Sequence, residues 1–210
     1  SYFESEFVAI KNENISKHFF SLDKSIFDQI EAQLRHAENI LDEIRISIRF
    51  DGQDIEINRE DIFKGLDDNL HQIIILSGVG GVGKTAVIKE LFKRCKDQIP
   101  FYIFKATEFE LRNINELLTD CTFQDFIDSH KDDSNKIIVI DSAEKLLYLK
   151  NTDPFKEFLR ILINNKWKII FTTRNDYLEV LNTDFSEIHG IIPVNLRITN
   201  LSFSLKILYP

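Results

Sequence analysis

The amino-acid sequence predicts an α/β protein in which a doubly wound, mostly parallel sheet follows an N-terminal lead-in made of a helix and a hairpin. Two observations predict the sheet: four short runs are apolar at every position, as in strands buried on both faces, and helical stretches separate these runs. A third observation concerns function, because four of the seven glycines fall between positions 78 and 83. We place the lead-in at residues 1–57 and the core domain at residues 58–210.

The lead-in contains the pattern of an amphipathic helix. Its apolar residues recur every three or four positions and so fall on one stripe, whereas charged residues fill the opposite face. The stripe consists of Ile26, Ile30, Leu34, Ala37, Leu41 and Ile44. Because it is too short for a coiled coil, we expect this helix to dock on the core domain. The alternatives are a self-association seam and a connector to an upstream domain.

The pattern then changes to a period of two, which is typical of a β-strand. Apolar residues alternate with polar ones from Ile44 to Phe50, and again at Ile55 and Ile57. The Asp51-Gly52 pair between these segments favours a tight turn. The lead-in is therefore predicted to end in a β-hairpin.

The core domain is predicted to alternate strands and helices with short connections. A short helix is predicted after Asn58, whose side chain can cap it, with Asp61 in the first turn. Strands are predicted at 72–77, 101–104, 137–140 and 169–172, and a fifth at 191–194, where Pro193 weakens the pattern. Longer helices are predicted at 85–96, 114–129 and 154–165.

A glycine-rich loop follows the first core strand. It reads Gly78-Val79-Gly80-Gly81-Val82-Gly83-Lys84-Thr85 and fits the phosphate-loop pattern G-x-x-x-x-G-K-[ST] without a mismatch. Glycine permits the backbone angles that turn N–H groups inward around a phosphate, and the next helix directs its positive end at the same anion. We expect Lys84 to contact the β and γ phosphates and Thr85 to bind Mg²⁺. Ala86 completes the predicted nucleotide-binding segment.

Asp141 ends the apolar run at 137–140 and is the predicted Mg²⁺ aspartate. In a parallel sheet, ligands gather at the carboxyl ends of the strands, so this carboxylate is expected to hold the ion through water. Glu144 lies three residues later and could polarise the attacking water. The alternative for Glu144 is a charge that complements a helix dipole.

Arg174 follows two threonines at the end of the run that begins at Lys168. At the carboxyl end of a strand, its guanidinium could contact the γ-phosphate and report its presence. The alternative is a surface arginine paired with Asp176 or Glu179. The predicted catalytic set is Lys84, Asp141, Glu144 and Arg174.

The predicted base is adenine. Ras-type GTPases read guanine with an Asn-Lys-x-Asp segment, and the nearest stretch here, Asn165-Lys166-Trp167-Lys168, lacks the aspartate and precedes a strand. ATP or ADP, with Mg²⁺, is therefore the expected ligand.

The composition argues against several other roles. A net charge of −8 disfavours general nucleic-acid binding. The two cysteines lack metal-ligand spacing and predict a reducing, cytoplasmic setting, and the scattered histidines suggest no metal site. No apolar run approaches the roughly 18 residues of a transmembrane helix, so we expect no membrane partner.

Four segments together resemble the nucleotide-binding core of the STAND NTPases, which include NACHT and NB-ARC proteins and prokaryotic antiviral members. The segments are Asn58-Arg59-Glu60, the phosphate loop, IIVIDSAEKL at 137–146 and KIIFTTR at 168–174. The resemblance implies the fold of a P-loop NTPase. It also implies that Ile57, Asn58 and Arg59 lie on the adenine.

The resemblance further implies a molecular switch with slow ATP hydrolysis. Such proteins rest with ADP, exchange it for ATP after a trigger, then oligomerise and signal, for example in antiviral defence. Ser142 stands where the related AAA+ motors carry a catalytic glutamate, which agrees with slow hydrolysis. Because the helical and winged-helix modules of such proteins do not follow, we expect an isolated NTPase core whose full-length parent self-associates in response to an unknown protein trigger.

Three alternatives to the switch come from other functional classes. A motor or loader ATPase of the AAA+ type would act on nucleic acid or protein. A small-molecule kinase would need a lid and an acceptor pocket, and no arginine-rich lid segment is evident. In a non-catalytic module, bound nucleotide would only stabilise the fold.

Overall fold

The computed structural model describes residues 24–42, 44, 46–50, 53–56, 59–67 and 71–198. The lead-in contributes helix α1 (Lys24–Asp42) and strands β1 (Ser47–Phe50) and β2 (Gln53–Glu56). The core domain follows as α2 (Glu60–Leu66), β3 (Ile73–Gly78), α3 (Lys84–Cys95), β4 (Phe101–Lys105), α4 (Phe123–Ser129), β5 (Ile137–Asp141), α5 (Asp153–Asn164), β6 (Lys168–Arg174), α6 (Leu178–His189) and β7 (Val194–Ile198). Short 3₁₀ turns lie at Ala106–Phe109, Ile114–Leu117, Ala143–Tyr148 and Asn175–Tyr177. No helix among the described residues has the length and apolar character needed to cross a membrane.

The five core strands form one parallel sheet in the order β4-β5-β6-β3-β7, which confirms the predicted α/β fold class. Strand β3 lies between β6 and β7, and β5 lies on the far side of β6. Because the strands run in the same direction, β3, β5 and β6 end at the same edge of the sheet. The chain leaves β3 toward one side of the sheet and later crosses to the other, so this edge has the topology of a ligand-binding crevice.

The sheet separates two hydrophobic cores. Alternate residues of each strand face opposite sides, so Ile74 and Leu76 pack with α3, whereas Ile73 and Ile75 belong to the cluster that holds α4 and α5. Burial of each large apolar side chain contributes about 1.5–3 kcal/mol to folding. The runs that are apolar at every position are therefore explained by burial on both faces.

Helix α1 covers the outer edge of β4 and also contacts α3 and α4. Its stripe residues Ala37 and Leu41 are buried, as expected of a helix docked on the core domain. A buried amide strengthens the attachment, because Oε1 of Gln29 accepts hydrogen bonds from the N–H groups of Thr119 and Asp120 at 3.0 and 3.1 Å. Coverage of an edge strand removes a surface on which another chain could pair.

The hairpin prediction is confirmed for the described part of the lead-in. Strands β1 and β2 pair antiparallel, with Ile48 opposite Ile55 and Arg49 opposite Asp54. The turn residues Asp51 and Gly52 lie outside the described residues, as does Ile57.

The predicted helix at 114–129 is wrong in its first half. A 3₁₀ turn occupies Ile114–Leu117, and α4 begins only at Phe123. Both starts are capped: Asn113 accepts from the Asn115 N–H, and Thr122 forms a capping box with Asp125. Two caps in close succession break the segment, because each offers the backbone a new helix start.

Two further elements begin later than predicted, and one helix was not predicted. The fifth strand begins at Val194, where it was predicted to end, because Pro193 cannot donate a ladder hydrogen bond. Helix α6 was not predicted, and it buries only Leu181 and Phe185, so its apolar periodicity is weak. Helix α2 begins at Glu60 with Arg59 at its N-cap, and the predicted cap, Asn58, lies outside the described residues.

Candidate nucleotide-binding site

The glycine-rich loop connects the end of β3 to the start of α3. Gly81 and Gly83 have φ angles of +78° and +94°, a region that side-chain-bearing residues rarely adopt. At Gly78, an added Cβ would lie 2.6 Å from the Val82 side chain, so the loop has no space for it. The sequence therefore places glycine where the backbone must turn tightly and approach itself.

Lys84 is the first residue of α3, and its side chain folds back over the loop. Its Nζ donates to the carbonyl oxygens of Gly78 and Val79 at 2.9 and 3.0 Å. Burial lowers the pKa of Lys84, while the charges of Glu144 and Asp141 act in the opposite direction. The ammonium group thus lies over the loop, and the two predicted catalytic carboxylates place negative charge in its surroundings.

Asp141 ends β5 with its carboxylate held by two hydroxyl groups. Thr172 Oγ1, on the neighbouring strand β6, donates to Oδ1 at 2.6 Å, and Ser142 Oγ donates to Oδ2 at 3.2 Å. The Ser142 N–H in turn donates to Thr172 Oγ1 at 3.0 Å. Sequence reasoning assigned no role to Thr172, because its contact depends on β5 and β6 being neighbours.

Glu144 lies in the 3₁₀ turn that follows β5 and is 8% exposed. Its Oε2 accepts from Thr173 Oγ1 at 3.1 Å, and its Oε1 lies 3.8 Å from Nε of Arg174. Ser142 adopts a left-handed conformation with φ of +59°, which ends the strand and starts the turn. Glu144 lies in the first turn of this 3₁₀ segment, which is also the position that the alternative of a dipole-complementing charge requires.

Arg174 ends β6 with a largely exposed side chain, 62% accessible. Within the described part of the chain its acidic partner is Glu144, rather than Asp176 or Glu179. A guanidinium that is exposed and paired only at 3.8 Å can turn toward an anion bound at the loop. The structure thus brings all four predicted catalytic residues to one edge of the sheet.

The oxygen donors at this edge fit Mg²⁺. Thr85 is half-buried in the first turn of α3, and the Asp141 carboxylate ends β5. The described residues contain no group of three or more His, Cys, Asp or Glu that could hold a metal. Mg²⁺ is normally held by one or two protein oxygens together with phosphates and water. Thr85 and Asp141 are therefore sufficient protein donors for an ion that arrives with a nucleotide.

The predicted adenine segment is described only in part. Ile57 and Asn58 lie outside the described residues. Arg59 is buried beside the phosphate loop, where its Nη1 lies 3.4 Å from Oε2 of Glu90 on α3. Ala86 is buried in the first turn of α3, whereas Val79 and Gly80 are exposed at the tip of the loop.

The fold and the site define a class of protein, a P-loop NTPase domain. Residues 74–187 match the family described as "ATPase family associated with various cellular activities (AAA)". Since the match spans more than half of the 210 residues, the chain belongs to this AAA family. The matched segment includes the phosphate loop and the predicted catalytic residues but excludes α1, the hairpin and Arg59.

Two solved structures share the fold. The Aeropyrum pernix ORC1 protein in complex with DNA matches with a TM-score of 0.51 and 16% identity, over 71% of this chain and 47% of that chain. The Saccharomyces cerevisiae Hsp104–ADP complex matches with a TM-score of 0.50 and 18% identity, over 72% of this chain and 23% of that chain. The chain therefore spans less than half the length of either protein. A search of the curated proteins finds no match.

These comparisons support the assignment to the P-loop ATPases but not the assignment to the STAND class. They place the chain among P-loop ATPases of the AAA family, and nothing in them singles out the STAND class. The expectation that nucleic acid is an unlikely partner finds no support in these comparisons either; the Aeropyrum pernix protein was solved in complex with DNA.

Proposed function

We propose that this chain is a Mg²⁺-dependent ATP-binding and ATP-hydrolysing domain that acts, as AAA+ motors and loaders do, on a macromolecule. The observation that carries the proposal is the convergence of Lys84, Asp141, Glu144 and Arg174 where β3, β5 and β6 end. Phosphoryl transfer needs positioning and charge stabilisation more than covalent chemistry, and this set supplies both charge signs on rigid elements.

Each residue of the site would have a separate role in nucleotide binding or hydrolysis, set by its position. The loop N–H groups and the α3 N-terminus would bind the phosphates, and Lys84 would exchange its two carbonyl partners for β and γ oxygens. Thr85 and Asp141 would hold Mg²⁺, which neutralises charge on the phosphates when bound. Glu144 would orient the attacking water and accept its proton. Arg174 would turn from Glu144 to the γ-phosphate.

Hydrolysis is expected to be slow. Ser142 occupies the position directly after Asp141, and its hydroxyl is engaged with the Asp141 carboxylate. The available carboxylate, Glu144, is bonded to Thr173 and lies near Arg174. Its Oε2 already accepts from Thr173, and the residue is only 8% exposed, so little of the carboxylate is accessible to water. A base that seldom contacts water lowers the fraction of productive complexes.

A second candidate function is the nucleotide-controlled switch of the STAND class, with oligomerisation and signalling as its output. Ser142 favours it, because a serine in place of a catalytic glutamate suits a protein that holds nucleotide rather than one that turns it over. The AAA family match and the two shared folds favour the first candidate.

ATP hydrolysis by the purified chain tests the proposal. We expect Mg²⁺-dependent phosphate release that Lys84→Ala abolishes and that Lys93→Ala, an exposed lysine of the same helix, preserves. Stimulation by single- or double-stranded DNA, or by an unfolded polypeptide, would support the motor or loader. Stoichiometric ADP retained through purification, with a change of oligomeric state between ADP and a non-hydrolysable ATP analogue, would support the switch. Absence of any adenine-nucleotide binding would overturn both.

A further inference from the structure

Arg59 is a buried cation that lies against the outside of the phosphate loop. Its side chain is 6% exposed. Its Nη2 lies 3.3 Å from the position that a Cβ on Gly83 would occupy, and its Nη1 lies 3.4 Å from Oε2 of Glu90. The guanidinium therefore lies along the first two turns of α3 and reaches the residue that precedes Lys84.

This placement gathers positive charge at one point. The N-terminus of α3 carries a partial positive charge, Lys84 adds a full charge, and the guanidinium of Arg59 adds another. The nearby acid, Glu90, is shared, because its Oε1 also accepts from Arg94 at 2.9 Å. Glu60 also accepts from Arg94, at 2.8 Å, so two carboxylates face the two guanidinium groups. A phosphate in the loop would add negative charge near Nη2 of Arg59, the atom that lies against the phosphate loop.

We propose that Arg59 is a positioning residue for the nucleotide phosphates, acting from behind the loop through the backbone at Gly83. The inference rests on the proposed nucleotide-binding function. It differs from the expectation that Arg59 lies on the adenine, because the observed contacts of its side chain are with the phosphate loop and α3. Bound phosphate would hold Arg59 against the loop, and Arg59 would strengthen phosphate binding by its charge.

The same contact links the nucleotide to α2. Arg59 is the N-cap residue of α2, and α2 packs on α3 through Phe63, whose ring lies 3.8 Å below the guanidinium of Arg94. Coupling between two events is reciprocal. If docked α2 strengthens ADP binding through Arg59, then ADP must strengthen the docking of α2 by the same factor.

Isothermal titration of the full chain with ADP and with AMP tests the role of Arg59. For Arg59→Gln we expect ADP affinity to fall by at least about tenfold, the effect of one partly buried charge near a phosphate, and AMP affinity to fall less. Arg59→Lys keeps the charge and is expected to lose less ADP affinity than Arg59→Gln. Glu90→Gln is expected to keep ADP affinity or improve it, because it removes a competing negative charge.

Lys93→Gln is the matched control, since Lys93 is an exposed cation in the last turn of α3, away from the loop. It should leave both affinities unchanged. If Arg59 is merely half of a structural ion pair, Arg59→Gln and Glu90→Gln will weaken ADP and AMP equally, and the proposal fails. Failure of the wild-type chain to bind ADP would instead overturn the proposed function.

Hydrogen exchange on the wild-type chain provides a second test that needs no variant. Amide protection over α2 should rise when ADP binds, because the occupied loop holds Arg59 in place. Unchanged protection over α2, with raised protection in the loop itself, would overturn the coupling even if Arg59→Gln does not fold.

Discussion

Thr172 orients the Asp141 carboxylate across two neighbouring strands. Its hydroxyl donates to Oδ1 of Asp141 at 2.6 Å and accepts from the Ser142 N–H at 3.0 Å. At 1% exposure, Thr172 is shielded from water that could replace these bonds. Residues that orient a metal-binding side chain commonly affect metal affinity almost as much as the ligand itself. The rigidity of the predicted Mg²⁺ site therefore depends on β6 as well as on β5.

We expect Thr172→Val to weaken Mg²⁺ binding without removing a ligand. The Mg²⁺ concentration that gives half-maximal ATP hydrolysis should rise by about 10- to 100-fold. The free energy of unfolding should fall by about 1–3 kcal/mol, because the Ser142 N–H loses its acceptor. A Mg²⁺ titration and urea denaturation measure the two effects. Thr173→Val is the control, since it removes a bond to Glu144 and leaves Asp141 untouched; an equal shift of the Mg²⁺ midpoint in both variants would contradict the assignment.

Glu144→Gln should preserve ATP binding and reduce turnover. The amide keeps the size of the side chain and can still accept from Thr173, but it cannot take a proton from water. Loss of a general base costs about 10²- to 10⁴-fold in rate. Single-turnover hydrolysis with saturating ATP measures this loss, and a Kd for ATP near that of the wild type provides the control. A rate within a few-fold of the wild type would remove Glu144 from the catalytic set.

Arg174→Ala should change discrimination between ATP and ADP. A guanidinium that reaches only the γ-phosphate contributes to ATP binding and not to ADP binding. Loss of a charge-assisted hydrogen bond costs about 1.5–3 kcal/mol, so the Kd for the ATP analogue should rise by about 10- to 150-fold while the Kd for ADP stays constant. Parallel titrations with both nucleotides measure the ratio. Equal weakening of both would place Arg174 on another phosphate or give it a structural role.

The sequence predicts those parts of the site that follow from local pattern. The phosphate loop is a continuous motif, and Asp141 and Arg174 each follow a buried run, so their place at strand ends can be predicted without knowing strand order. The supporting contacts cannot be predicted in this way. Thr172 meets Asp141 only because β6 lies beside β5, and Arg59 meets Gly83 only because α2 packs on α3.

The contrast between local sequence pattern and long-range packing also explains where the predicted fold is wrong. Buried strands are predicted well because burial on both faces leaves a run of apolar residues. Helix α6 is missed because it buries few residues. The break before α4 is missed because the apolar pattern continues across the caps at Asn113 and Thr122.

Protonation of His130 is expected to make the free energy of unfolding depend on pH. At the edge of the sheet opposite the phosphate loop, Tyr102 Oη lies 2.8 Å from Nε2 of His130, and Oδ2 of Asp133 lies 2.8 Å from Nδ1. A neutral ring satisfies both contacts, with the Tyr102 hydroxyl donating to Nε2 and the Nδ1–H donating to Asp133. Burial lowers the pKa of His130 below its ordinary value of 6.5, with Asp133 opposing this shift and the charge of Lys136 adding to it.

The sign of the pH effect follows from this lowered pKa. Between the folded and unfolded pKa values the unfolded chain binds more protons, so the free energy of unfolding should fall as pH drops below about 6.5 and level off below the folded pKa. The pKa of His189 is also lowered by burial, so it contributes in the same direction. Urea denaturation between pH 7.5 and pH 5, in the wild type and in His130→Gln, isolates the His130 part. The variant should show a shallower decline over this range, and identical slopes would mean that His130 titrates alike in the folded and unfolded chain.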